Sequence, residues 1–119
     1  MNTIAERVAA GAAFLDEREP DWWRRIDVKR LELASSCQCV LGQLHSHKCG
    51  EPSMHYLHAR SRFEVADVCG HADPDAALGF DVSDAARRAG REGVEYAGLT
   101  AEWRRVIAER QAVKAGAVA

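Results

Sequence analysis

Residues 3–15, TIAERVAAGAAFL, decide the first element of the fold. Thr3 and Glu6 make the Thr-x-x-Glu pattern of a capping box, in which the two side chains satisfy backbone N–H groups at a helix start. Apolar residues then recur at helical spacing and give the helix one buried face: Ile4, Val8, Ala12 and Leu15. Because Pro20 disfavours helix in the residue before it, the pattern predicts a helix over about residues 3–18.

The middle of the chain carries two further helix patterns. Ser35 and Gln38 make a second possible capping box, and an apolar stripe runs through the residues after Ser35: Cys37, Val40, Leu41 and Leu44. The stripe predicts a short helix from Ser35 to Leu44. Ser53 can cap the next helix, which the pattern places at about residues 54–67.

The second half begins with another helix start at Asp73-Pro74, because proline is well tolerated at the first helical position, and Gly79 can end this helix. The glycine-rich stretch that follows predicts a helical turn at most, at about residues 83–89, and then a loop. Thr100 is predicted to cap the last helix. The small residues 114–119 are expected to fray.

Length and composition agree with these helices. The chain has 119 residues, which is one domain's worth, and its 47% hydrophobic and 29% charged residues are typical of globular proteins. We therefore expect an all-α fold, a compact single domain over residues 1–119 built from four to six short helices. The longest apolar run is far below the ~20 residues that span a bilayer, so no membrane association is expected. Glu6 stands where a secretory signal would be basic, so a cytoplasmic location is expected.

The charge balance and the missing motifs bear on function. The formal net charge is −2, whereas proteins that bind nucleic acid non-specifically usually carry a positive excess that neutralises phosphates. Nucleotide-binding glycine loops, nucleophile elbows and zinc-protease motifs are absent from the sequence. We therefore expect a protein that is not an enzyme, and nucleic acid is a disfavoured partner.

Three segments carry a resemblance to a known group: CVLGQL at residues 39–44, ALGF at 77–80 and YAGLTAEW at 96–103. They resemble small proteins encoded by actinobacteria and their bacteriophages, and the similarity runs from the first helix to about Arg110. The resemblance implies a phage or prophage setting. It implies no activity and no functional residues, since the shared segments are packing and capping residues.

All four cysteines and all five histidines lie between residues 37 and 71. A zinc site needs four such ligands, usually supplied in close pairs. The best-spaced set consists of His45 and four candidate zinc ligands: His47, Cys49, Cys69 and His71. A second possible pair is His55 and His58. The C-x2-C spacing of zinc modules is missing, so the favoured interpretation is ordinary loop and core side chains with no cofactor.

Two of these cysteines invite a separate interpretation. Cys37 lies on the apolar stripe and is expected to be buried, whereas Cys39 lies off the stripe and could face a loop. Near the start of a short helix, Cys39 would have a lowered pKa and could act as a nucleophile. Nothing selects a base for it among the histidines, so a cysteine-dependent enzyme is not favoured.

Trp22, Trp23, Arg24 and Arg25 are the predicted partner-binding residues. Adjacent tryptophans diverge, so one is expected to pack near Phe14 or Leu15 while the other faces solvent. Trp and Arg dominate interface hot spots. The competing and favoured interpretation is that both tryptophans are partly buried, with arginine stems packed over them.

These patterns together predict a small non-enzymatic accessory protein of phage or prophage type, which acts by binding another macromolecule and most simply a protein. The alternative is a small zinc-stabilised helical module that contacts nucleic acid. Bound metal with a convergent basic face would favour the alternative, and an exposed apolar patch in a metal-free domain would favour the first.

Overall fold

The computed structural model describes residues 3–35, 38–45, 59, 63–65 and 73–118. Every regular element in these ranges is helical, which confirms the all-α prediction. The elements are α1 (Ile4–Arg18), a 3-10 helix (Trp22–Arg25), α2 (Val40–His45), α3 (Pro74–Ala77), α4 (Asp84–Arg88) and α5 (Glu92–Val118). The radius of gyration is 13.9 Å, close to the ~13.5 Å of a compact domain of this length.

Helix α1 begins as its sequence predicts. The Thr3 hydroxyl accepts a hydrogen bond from the Glu6 N–H at 3.1 Å, and the Glu6 carboxylate accepts one from the Thr3 N–H at 3.0 Å. The helix ends where the Glu19 N–H donates to the Leu15 carbonyl at 2.8 Å. Its buried face contains the predicted apolar residues Val8, Ala12 and Leu15, and also Arg7, Gly11 and Phe14.

Helix α3 begins at the predicted Asp73-Pro74 start, and α4 lies within the predicted helical turn at residues 83–89. The Asp73 carboxylate accepts from the Ala76 N–H at 3.3 Å, with Pro74 at the first helical position. Gly79 follows α3 with a φ of +72°, a left-handed conformation that favours glycine. The Ser83 hydroxyl accepts from the Ala86 N–H at 3.2 Å and caps α4, which confirms the predicted helical turn.

The helix predicted from Ser35 to Leu44 is shorter than expected. The Ser35 hydroxyl accepts from the Gln38 N–H at 3.2 Å, as in a capping box, but the α-helix begins only at Val40. Its cap is Cys39, whose sulfur accepts from the Gly42 N–H at 3.3 Å. The helix predicted at about 54–67 lies mostly outside the described residues.

The predicted start of the last helix is wrong. Helix α5 begins at Glu92, eight residues before Thr100, and its 27 residues span about 40 Å. Thr100 is buried within the helix, where its hydroxyl accepts from the Leu33 N–H at 3.0 Å. The residue that looked like a cap therefore joins α5 sideways to the segment before α2. The backbone is helical to Val118, and fraying of the last turns stays a prediction.

Aromatic side chains connect α5 to the rest of the core. The Trp103 ring stacks on Phe80 at a centroid distance of 5.6 Å and meets the edge of Trp22 at 5.8 Å. The indole N–H of Trp103 donates to the Gly79 carbonyl at 2.7 Å. Phe14 packs edge-on against Phe80 at 6.1 Å, so α1, the turn after α3 and α5 share one core.

Candidate functional site

The structure places the four predicted partner-binding residues in different environments. Trp22 is fully buried, and its indole N–H donates to the Asp16 carboxylate at 2.9 Å. One tryptophan therefore packs beside the first helix, as expected. A side chain without exposed surface cannot contact a partner, so Trp22 is not available for binding in this structure.

Trp23 and Arg24 form a half-exposed pair. The Trp23 ring is partly buried against the core, and the Arg24 guanidinium lies 5.3 Å from its centroid. The Arg24 Nε also lies 3.9 Å from the Asp21 carboxylate. An arginine packed over a partly buried tryptophan is the arrangement of the competing interpretation.

Arg25 joins two elements. Its guanidinium donates to the Leu44 carbonyl at 2.7 Å, at the end of α2, and lies 3.4 Å from the Glu19 carboxylate. These bonds tie the 3-10 helix to α1 and α2. The aromatic-basic segment, residues 22–25, therefore mainly connects other elements of the fold. Arg24 is the more exposed of its two arginines.

Cys39 does not have the properties of a nucleophile. Its side chain is 2% exposed, and burial raises the pKa of the thiol to about 11 despite the hydrogen bond from the Gly42 N–H. The disfavoured alternative, in which Cys39 faces a loop and has a lowered pKa, is therefore wrong. The helix start that was expected to activate the thiol lies inside the core, where desolvation outweighs the hydrogen bonds from backbone N–H groups.

The zinc alternative depends on side chains between residues 45 and 71. Its candidate ligands, His47, Cys49, Cys69 and His71, lie outside the described residues, as do Cys37, His55, His58 and the side chain of His45. Within the described ranges, no three His, Cys, Asp or Glu side chains come together as metal ligands would.

Sequence reasoning missed a buried ionic network centred on Arg7. The Arg7 side chain is only 3% exposed and forms an ion pair with Glu95 of α5. Its other nitrogens donate to the carbonyls of Ala76 at 2.7 Å and Asp81 at 2.8 Å. The helical spacing of the apolar residues along α1 did not indicate that a charged residue would lie in the core.

Glu95 is the matching acid of this network. Its carboxylate accepts from the Ser83 N–H at 3.2 Å and from the Ser83 hydroxyl at 3.0 Å, besides Arg7. Burial alone would raise the pKa of Glu95, but the hydrogen bonds from Arg7 and Ser83 outweigh it and lower the pKa. The network thus fixes the start of α5 against α1 and the cap of α4.

A second polar cluster adjoins the first. The Asp81 carboxylate accepts from Arg87 at 2.9 Å and from the Tyr96 hydroxyl at 2.9 Å. Burial and the hydrogen bond to Asp81 raise the pKa of Tyr96, which keeps this phenol protonated. Each charged or ionisable group in the two clusters has a partner, so their chemistry is that of structural bonds rather than of a reactive centre.

These bonds frame an open groove of about 470 Å³ between the start of α1, α4 and the start of α5. The groove is lined mainly by small and apolar side chains: Ile4, Ala85, Ala86, Ala89 and Val94. Val94 is 67% exposed, one of two large hydrophobic residues with such exposure in the described chain. The remaining lining residues are Arg91 and Glu95.

Sequence reasoning missed this groove because it took residues 90–99 for a loop. The groove exists only because α5 begins at Glu92 and brings Val94 beside α4. The acidic residues Glu92 and Glu95, which suit the first turn of a helix, were the available signal for that earlier start.

Comparison with known proteins adds no family assignment: the chain matches no protein-family model, no curated protein and no solved structure. Among the helices in the described ranges, none is both long enough and apolar enough to cross a membrane. The case for a function therefore comes from the geometry of the chain itself.

Proposed function

We propose that this chain is a small non-enzymatic accessory protein that acts by binding another protein through the groove at the start of α5. The observation that carries the proposal is the exposure of Val94 inside a groove with an apolar lining. Isolated exposed apolar residues are ordinary on protein surfaces, whereas concave sites with a mostly apolar lining are where ligands bind.

The groove suits a modest and reversible contact. Covering the exposed part of Val94 contributes about 1–2 kcal/mol by removing apolar surface from water. The alanines of α4 allow a partner backbone to approach closely, since their side chains end at Cβ.

The paired state of the polar groups supports a role without catalysis. The hydrogen bonds of Arg7, Glu95 and Asp81 hold α1, α4 and α5 together. The buried thiol of Cys39 stays protonated at neutral pH. A binding protein needs only this rigid frame and a complementary surface.

We extend the proposal to a phage or prophage setting. The support for this extension is the resemblance of residues 39–44, 77–80 and 96–103 to small actinobacterial and phage proteins. The setting points to partners among the proteins of the host cell or the phage.

Affinity capture with matched variants tests the proposal. Wild-type protein, Val94→Asp and Val113→Asp are used as bait in lysates of the source organism. Val113 is the control because it is 71% exposed and lies 19 residues further along α5, about 28 Å away. We expect wild type and Val113→Asp to retain a partner that Val94→Asp loses by tenfold or more. Equal recovery with all three baits would refute the groove as the binding surface.

A further inference from the structure

The groove carries one charge that has no partner among the described residues. Arg87 pairs with Asp81, and Arg88 pairs with Asp84. Arg91, which follows them on the groove wall, has no ion pair or side-chain hydrogen bond with the rest of the described chain. Its guanidinium is exposed and available to a ligand.

The other charge in the lining is already neutralised. Glu95 is held by Arg7 and by two hydrogen bonds from Ser83, so it adds little negative potential to the groove. Glu92, next to Arg91 in sequence, does not line the groove. The electrostatic character of the groove is therefore that of a single arginine beside an apolar floor.

The apolar lining of the groove favours a helical ligand. Ala85 and Ala86 of α4 and Ala89, which directly follows this helix, line the groove together with Val94 of α5. A groove lined by short apolar side chains and one branched apolar side chain accepts the apolar face of an amphipathic helix.

Resting on the proposed function, we infer that the partner presents an amphipathic helix whose apolar face fills the groove and whose flanking Asp or Glu pairs with Arg91. The apolar contact supplies most of the affinity, and the ion pair selects acidic over basic helices. A guanidinium offers two parallel donors that match a carboxylate, so an acid is the complementary partner group. A lysine or arginine at that place would meet uncompensated repulsion.

A displayed library of helical 16-residue peptides tests this inference. The library has randomised apolar and flanking charged positions, and it is selected on wild-type protein after depletion on Val94→Asp. The same selection is repeated on Arg91→Glu, and on Arg30→Glu as a matched control. Arg30 is another exposed arginine without an ion pair in the described part of the chain, and it does not line the groove.

We expect wild type and Arg30→Glu to enrich peptides with an apolar stripe and an Asp or Glu, and Arg91→Glu to enrich Lys or Arg instead. For a single acidic peptide, replacing the acid by lysine should weaken binding by about fivefold, the upper range for a solvent-exposed ion pair. Peptides that need Val94 but show no charge preference would overturn the inference and leave the proposed function standing. Failure to enrich any Val94-dependent peptide would also overturn the inference, whereas the proposed function is refuted by equal recovery with all three baits in the affinity capture.

Discussion

At the scale of single residues, burial decides what each side chain can do. Cys39 and Trp22 have the residue types of a nucleophile and of an interface anchor, yet both lie in the core. Arg7 is a charged residue that lies in the core. Its guanidinium bonds to Glu95 of α5 and to the carbonyls of Ala76 and Asp81. Residue type alone therefore does not identify the functional residues of this chain.

Cys39 should be inert in the native protein. With a pKa of about 11, only about a thousandth of the thiol is ionised at pH 8, roughly a hundredfold less than for an ordinary cysteine. We expect brief treatment with iodoacetamide followed by peptide mapping to leave Cys39 unlabelled in native protein and to label it in denaturant. Rapid native labelling of Cys39 would contradict its buried placement.

Glu95→Gln should destabilise the fold by about 3 kcal/mol at pH 7, because it leaves the buried Arg7 charge without its counter-charge. The control is Glu109→Gln, which breaks an exposed ion pair with Arg105 and should cost under about 1 kcal/mol. Urea unfolding monitored by circular dichroism gives both free energies of unfolding. Similar losses in the two variants would argue against a buried network.

The Glu95→Gln variant should also change how stability depends on pH. The pKa of Glu95 is lowered in the folded state, so its charge stabilises the protein above the ordinary glutamate pKa. This stability is lost as the pH falls through the lower, folded pKa. We expect the free energy of unfolding to fall less steeply below about pH 4.5 in Glu95→Gln than in wild type. An unchanged slope would show that Glu95 does not titrate as described.

At the scale of elements, α1 and the turn after α3 meet almost backbone to backbone. A Cβ on Gly11 would lie 1.9 Å from the Leu78 carbonyl oxygen and 3.0 Å from the Trp103 ring. The helices can therefore pack this closely only with glycine at position 11, and the neighbour that would have to move is backbone.

Gly11→Ala should lower the free energy of unfolding by about 3 kcal/mol through overpacking, even though alanine is the better helix former. Gly93→Ala is the matched control, since Gly93 lies in α5 with open space around it. We expect this control to be neutral or to stabilise by about 0.5–1 kcal/mol. Thermal unfolding of both variants measures the difference, and a stabilised Gly11→Ala would contradict the close contact.

The sequence predicted elements well where local chemistry sets them. Thr3, Asp73 and Ser83 cap helices at the expected places because a short polar side chain bonds an N–H within its own turn. Thr100 does not cap a helix, because its hydroxyl accepts a hydrogen bond from Leu33, 67 positions away in the chain. A pattern read within one segment cannot distinguish a cap from such a lateral bond.

At the scale of the whole molecule, the candidate site could not be predicted. The groove lies where α1, α4 and α5 meet, and its walls depend on the early start of α5 and on the Arg7–Glu95 ion pair. The aromatic-basic segment at residues 22–25 was predicted to bind a partner because Trp and Arg dominate interface hot spots. Its long-range bonds, such as Arg25 to the Leu44 carbonyl, are set by tertiary packing.

The zinc alternative is also a question about the whole molecule. We expect freshly purified protein to contain less than stoichiometric zinc by elemental analysis, because the spacing of His47, Cys49, Cys69 and His71 is atypical of zinc modules. We also expect helicity to persist in the presence of a chelator. One equivalent of zinc, with loss of helicity on its removal, would favour the alternative of a zinc-stabilised module.

Site-specific photocrosslinking in cells of the source organism tests the groove most directly. A photoreactive phenylalanine analogue is placed at position 94 in one protein and at position 113 in another, and crosslinked products are identified by mass spectrometry. We expect position 94 to yield one dominant crosslinked protein that position 113 does not yield. The absence of a product at position 94, or the same products at both positions, would contradict a protein-binding groove at the start of α5.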